Sequence, residues 1–257
     1  MQGLWLCGRK RKTSLQTNKD VNRMKAMIFA AGLGTRLHPI TRSIPKALVK
    51  VRGKALLEHA IEKLIHTGIN EIIINVHHFP DQILTFLKSK SFGIPIHISD
   101  EREKLLDTGG GLKHASHFFD TNPFLVYNVD IICSINLKEV IDFHKEHKPL
   151  ATLVVRNRDT KRYLLFDQEN KLCGWKNIET KKEIIVNQKK HLTSLTFSGI
   201  HIIDPKIFEL MPTNDCFPII DLYLKLAKKN IILGFNDTSS EWMDVGKIEQ
   251  LEQLNTN

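Results

Sequence analysis

"AMIFAAGLGTRLHPITRSIPK", residues 26–46, decides the fold: a short apolar strand runs straight into a glycine-containing loop that ends on a lysine. A turn of this kind bares backbone N–H groups where an anion can approach, and phosphate is the expected guest. A tight turn that needs glycine for a positive φ accounts for the glycines equally well. It does not account for Arg36 and Lys46, two cations of different geometry on one loop.

Outward from that loop, strand and helix signals alternate. A helix is predicted over 55–68, where Leu57, Ile61, Leu64 and Ile65 share a face and Gly68 supplies a stop. The run 71–76 reads as a buried parallel strand, 81–90 as a helix, 94–99 as a strand and 111–119 as a short helix. A strand over 124–129 and a helix over 137–147 follow. Strands joined by helical crossovers imply an α/β, Rossmann-like, doubly wound and mostly parallel sheet. From about Leu150 the pattern turns β-rich, with strands expected at 151–157, 162–167, 171–175 and 194–203. Helix and strand return at 217–230 and 231–236, and 247–254 reads as a last helix. The expectation is one domain over 24–257 that carries a β-rich insertion over 150–203.

Composition narrows the function classes. The 257 residues carry a net charge of +9, but residues 1–23 supply six Lys or Arg against one Asp, leaving only about +4 for the remainder. That is a weak argument for nucleic acid. The leader lacks a secretory signal's apolar core and ends just before Met24; a flexible basic arm, an organellar presequence and a start assigned too far upstream all fit, the last best. Cys7, Cys133, Cys173 and Cys216 form no Cys-x-x-Cys pair, which suggests reduced thiols and a cytoplasmic protein. Twelve histidines include no metalloprotease-type pair, and the longest apolar run is too short to span a bilayer.

Two familiar phosphate loops do not fit the letters. The dinucleotide fingerprint requires glycine where Leu37 stands, and no Walker A sequence is present. The stretch instead resembles the loop of the sugar-1-phosphate nucleotidyltransferases, G-x-G-x-R-x-x-P-x-T-x-x-x-P-K, with Gly32, Gly34, Arg36, Pro39, Thr41, Pro45 and Lys46 at its fixed positions. "LLDTGGG" (105–111), "NVD" (128–130), "FSGIHII" (197–203) and "WMDVG" (242–246) extend the resemblance, which lies nearest to the compact branch of N-acetylmuramate 1-phosphate uridylyltransferases and heptose 1-phosphate guanylyltransferases.

The resemblance implies an enzyme that joins a nucleoside triphosphate to a sugar 1-phosphate and releases pyrophosphate. Ala31, Gly32, Gly34 and Thr35 would bind the nucleotide's phosphates, with Asp107, Gly109, Gly110 and Gly111 as a glycine-rich turn against the nucleoside. Arg36 and Lys46 would be catalytic, Gly199 would back the sugar, and Asp130 and Asp244 would hold Mg²⁺. Read without the family, Asp130 is as well a cap or turn residue, Gly109–Gly111 a flexible turn before a helix, and Asp107 and Thr108 caps. UTP is favoured over GTP with a mannose-like or heptose acceptor, and a nucleotide-sensing module on the same fold is the reading without turnover. Arg156, Arg158 and Arg162 are expected as solvated edge charges, with contact to an acidic group on the sugar as the other reading.

Overall fold

The structure, a computed structural model, describes residues 24–256; the leader 1–23 and Cys7 lie outside them. Strand β1 (Met24–Phe29) opens the chain and is followed by three short 3₁₀ turns within residues 35–48. A small hairpin, β2 (Lys50–Val51) and β3 (Lys54–Ala55), leads into α1 (Leu56–His66). Next come β4 (Ile69–Val76), α2 (Pro80–Lys88), β5 (Ile96–Asp100) and α3 (Asp107–His114). Strand β6 (Phe124–Asn128), the short β7 (Ile131–Cys133) and α4 (Leu137–His147) complete the first half.

The second half begins with β8 (Ala151–Arg156) and continues through β9 (Arg162–Phe166), β10 (Leu172–Asn177) and β11 (Lys182–Ile185) to the long β12 (Thr193–Ile203). Helix α5 (Ile219–Leu226), β13 (Ile232–Asn236), β14 (Trp242–Asp244) and α6 (Ile248–Thr256) follow. Strand β1 sits between β4 and β6 and is parallel to both, with β5 parallel outside β4. On the other side β12 runs antiparallel to β6 and to β8, and β13 is parallel to β8.

Alternation along β1 shows why the sheet is covered on both faces. Ala26 and Ile28 point into the core that holds α1, α2, α4 and α6, whereas Met27 and Phe29 point into the core that holds α3 and α5. Helix α1 buries Leu57, Ile61 and Leu64 and stops before Gly68, whose φ of +95° suits glycine. Ile65, expected on the same face, is only partly buried.

The β-rich stretch divides between two sheets. Strand β8 and residues 200–203 of β12 belong to the central sheet, while β9, β10 and β11 pair in sequence and attach through Thr193–Leu195 of β12. The flap is therefore β9–β11 hung on one continuous strand.

Two buried histidines mark the second half. His144 shares a 2.9 Å hydrogen bond with Thr152, and His201 lies 2.5 Å from the Tyr223 hydroxyl, all four within the core. Burial lowers His144 from 6.5 to about 4, opposed by Asp204, and lowers His201 to about 3. Both stay neutral in the folded chain and ionise near 6.5 once unfolded, so their contribution is fully present above that pH. It is lost as pH falls, by up to ~1.4 kcal/mol per pH unit for each histidine. Urea unfolding at pH 7.5, 5.5 and 4.5 should show a midpoint that drops steadily below pH 6.5, less steeply in His144→Gln; a flat profile would contradict the assignment.

Candidate active site

The chain leaves β1, builds β4 and β5 to one side and returns with β6 on the other, so the order reverses between β1 and β6. Such a switch point opens a crevice at the carboxyl ends of the strands. A pocket of about 470 Å³ lies there, walled by Phe29–Gly32 after β1, Asn75 at the end of β4, and Asn128–Asp130 after β6.

The opening loop folds back on itself to frame this pocket. Thr41 donates its hydroxyl to the Gly34 carbonyl at 2.7 Å, and the Leu37 amide donates to the same oxygen at 2.9 Å. Gly34 has φ +66°, and a Cβ there would stand 3.0 Å from Cβ of Lys46. The glycine thus lets the two ends of the loop touch. A Cβ on Gly32 would meet nothing within 4 Å, yet Gly32 lines the pocket; its bare backbone faces open space. Arg36 and Thr35 are exposed, and the Arg36 guanidinium lies over Gly246, where a Cβ would come within 3.1 Å of Nη2.

Lys46 is almost fully buried and its Nζ sits 2.5 Å from Asp130 Oδ2. Asp244 joins this pair through a short ladder: β14 runs antiparallel to β7 with Asp244 opposite Ile131, and the Val245 amide donates to the Asp130 carbonyl at 2.8 Å. Gln250 on α6 donates to Asp244 Oδ1 at 2.8 Å and accepts from the Gly246 amide, which fixes the carboxylate's direction. Asp130, in the turn between β6 and β7, and Asp244, at the end of β14, offer hard oxygen donors of the kind Mg²⁺ takes when substrate phosphates and water complete its shell. Among the described residues no cluster of three or more His, Cys, Asp or Glu could hold an ion without such help.

The glycine triplet is not a turn. Gly109, Gly110 and Gly111 lie inside α3 and are buried, so the helix begins at Asp107 rather than at Gly111. Close packing is the reason. A Cβ on Gly109 would be 2.4 Å from the Phe217 ring, one on Gly110 1.9 Å from the Asp215 carbonyl, and one on Gly111 2.6 Å from Glu101 Oε1. Contact with the 215–217 segment therefore overrides glycine's poor helix propensity. Asp107, at φ +60°, and Thr108 do reach the pocket wall, and the Thr108 hydroxyl accepts from the Ile219 amide, capping α5 rather than its own helix. Gly199, φ +77°, occupies the break in β12 pairing between Phe197 and His201, with Asn128 against it; it stands behind the pocket wall.

Asn75 and Glu101 are the pocket residues that the sequence reading missed. Asn75 interrupts the apolar run 72–76, which is the signal that marks it. It accepts from the Ala30 amide at 2.8 Å and donates to Glu101 Oε1 at 2.8 Å, with both side chains nearly inaccessible. Glu101 Oε2 is buried with no hydrogen-bond partner among the described residues. Burial raises the Glu101 pKa above the usual carboxylate value, opposed by Asn75 and by the Leu106 amide. Arg156 departs from the solvated reading: it is mostly buried, pairs with Asp237 at 2.5 Å and bonds Ser240, because β8 enters the core before it reaches the flap. Arg162 is exposed as expected, and Arg158 is half-buried.

Residues 25–257 match the family described as Nucleotidyl transferase. The chain belongs to this family. Over 237 residues it is 32% identical to the mannose-1-phosphate guanyltransferase of Saccharomyces cerevisiae, covering 87% of this chain but only 62% of the yeast enzyme's length. It is 32% identical over 229 residues to the N-acetylmuramate alpha-1-phosphate uridylyltransferase of Caulobacter vibrioides, covering 86% of this chain and 91% of that protein. The fold matches HddC from Yersinia pseudotuberculosis with a TM-score of 0.73 at 24% identity, over 91% of this chain and 98% of that one.

Asn75 supports a testable statement about the site's frame. Asn75→Ala deprives the Ala30 amide and Glu101 Oε1 of their Asn75 partner, which should cost roughly 1–3 kcal/mol per unsatisfied group. Chemical denaturation should show that loss, with Asn75→Asp falling between the two; wild-type stability in Asn75→Ala would dismiss the network.

Proposed function

We propose that this chain transfers a nucleotidyl group from a nucleoside triphosphate to the phosphate of a sugar 1-phosphate, releasing pyrophosphate and forming a nucleotide sugar. The observation that carries the reading is the Lys46–Asp130 pair at the carboxyl end of β6, with the backbone of Asp244 on the neighbouring strand, in the wall of a pocket that Gly32 also lines. An acceptor phosphate oxygen attacks the α-phosphorus in line, and pyrophosphate leaves with the electron pair of the broken P–O bond. No enzyme nucleophile is needed; the obstacle is repulsion between two polyanions.

The chain's own residues meet that obstacle. Backbone amides of Ala31–Thr35 receive the triphosphate, and Arg36 stands over Gly246 at the rim, where the departing pyrophosphate carries its charge. Lys46, drawn into the pocket wall by Asp130, supplies a compact positive charge at the reacting centre. Asp130 and Asp244 are the residues that would hold Mg²⁺, with Gln250 steering the second. An ion held by these carboxylates would supply charge neutralisation to the phosphates. Asp130→Asn and Asp244→Asn should each lower Mg²⁺-dependent kcat by about 10³-fold, Asp244→Asn with little change in thermal stability and Asp130→Asn with a measurable loss from the broken Lys46 pair; full turnover in both would sink the assignment.

For the base, we place UTP first. The uridylyltransferase of Caulobacter is matched along 91% of its length, the yeast guanyltransferase along 62%. GTP is the second reading, favoured by the guanyltransferase relatives. Under the first reading UTP should release pyrophosphate at least about 10-fold faster than GTP, and under the second the order reverses. A pyrophosphate-release assay that crosses the four triphosphates with a panel of sugar 1-phosphates reads both outcomes; silence throughout would favour a module without turnover.

A further inference from the structure

A second cavity, of about 420 Å³, opens between the flap and α5. Its flap wall is built from two cross-strand rows on one face. Leu164, Trp175 and Ile184 sit opposite one another on β9, β10 and β11, and two residues along the ladder Arg162, Asn177 and Lys182 do the same. Arg162 and Lys182 therefore flank Asn177 at roughly 10 Å, two strand spacings apart. Arg158, from the segment that precedes β9, is the third cation on this cavity, and Asp221 on α5 is its one acid.

These cations are not neutralised within the fold. Nearby carboxylates are taken by others, Asp237 by Arg156 and Glu179 by Lys161, and among the described residues Arg158, Arg162 and Lys182 join no ion pair. The Arg158 guanidinium is stacked over the Trp242 ring at 4.5 Å, and its Nε is buried without a hydrogen-bond partner among the described residues. Burial pushes the Arg158 pKa down, and the nearby Asp244 carboxylate pulls it back up. The stack thus sets Arg158 beside the carboxylate that closes the catalytic centre. One phosphate on the acceptor accounts for Arg158. Arg162 and Lys182, on the same wall next to an apolar row suited to a sugar's C–H face, remain over.

We infer that the flap cavity is built for an acceptor with an anionic group in addition to its 1-phosphate, a carboxylate or a further phosphate on the sugar, held by Arg162 and Lys182. The inference rests on the nucleotidyl-transfer reading and assigns the acceptor's class within it. Both side chains are exposed, so replacing them does not threaten the fold.

The test uses three acceptors with one ring: glucose 1-phosphate, glucuronic acid 1-phosphate and glucose 1,6-bisphosphate. With the preferred triphosphate, the native enzyme should show kcat/KM at least about 10-fold higher for one of the charged acceptors, and which one identifies carboxylate or phosphate. In the double variant Arg162→Gln/Lys182→Gln that ratio should fall to about one. Equal or better use of the neutral acceptor, or a variant that slows all three alike, would overturn the inference and leave nucleotidyl transfer standing. If no acceptor turns over, the transfer reading fails instead. Titration calorimetry with the same three phosphates then decides: tighter binding of a charged ligand that the variant abolishes supports the anionic subsite, and equal affinities reject it.

Discussion

A single ion pair holds the geometry of this site together. Lys46 ends a loop that begins at the close of β1, and Asp130 follows the close of β6, so the 2.5 Å contact between them clamps two neighbouring parallel strands at their carboxyl ends. Lys46 is buried and Asp130 partly so, and removing the carboxylate would leave the buried ammonium without compensation. The same contact gives Lys46 its place. A lysine on a loop of glycine and proline has wide rotamer freedom, and the carboxylate spends that freedom before any substrate arrives.

The sheet and its helices were legible because their signals are local. Alternating burial in β1, the continuous apolar run of β4 and the amphipathic α1 each report their environment within a few residues. The glycine triplet misled for the opposite reason. Three glycines in a row read as a turn, and only the approach of the 215–217 segment, about a hundred residues away in sequence, makes a helix of them. The split of the β-rich stretch was invisible on the same grounds. Nothing within "ATLVVR" distinguishes a strand beside β12 in the central sheet from one in the flap.

At the site, the letters told more about residues than about how they meet. The spacing of Gly34 and Lys46 carries the loop, and the structure adds that the two touch. Asp130 and Asp244 are brought side by side by β7 and β14, two strands of three residues each, too short to leave a periodicity. Asn75 and Glu101 went unread because a polar residue in an apolar run has many explanations until its partners are known. Arg156 shows the converse, since a cluster of arginines looks like surface until Asp237 is found against one of them.

Strand β12 bears on how such a protein can change. Its first residues carry the flap and its last residues carry the central sheet, with Gly199 at the break between them. The flap wall is thus attached along one edge, while the strands that set Lys46, Asp130 and Asp244 have their own hydrogen bonds elsewhere. Sequence drift in β9–β11 can reshape the flap cavity without shifting the register of those three residues. The architecture separates the part that can vary from the part that cannot, and one strand is the seam.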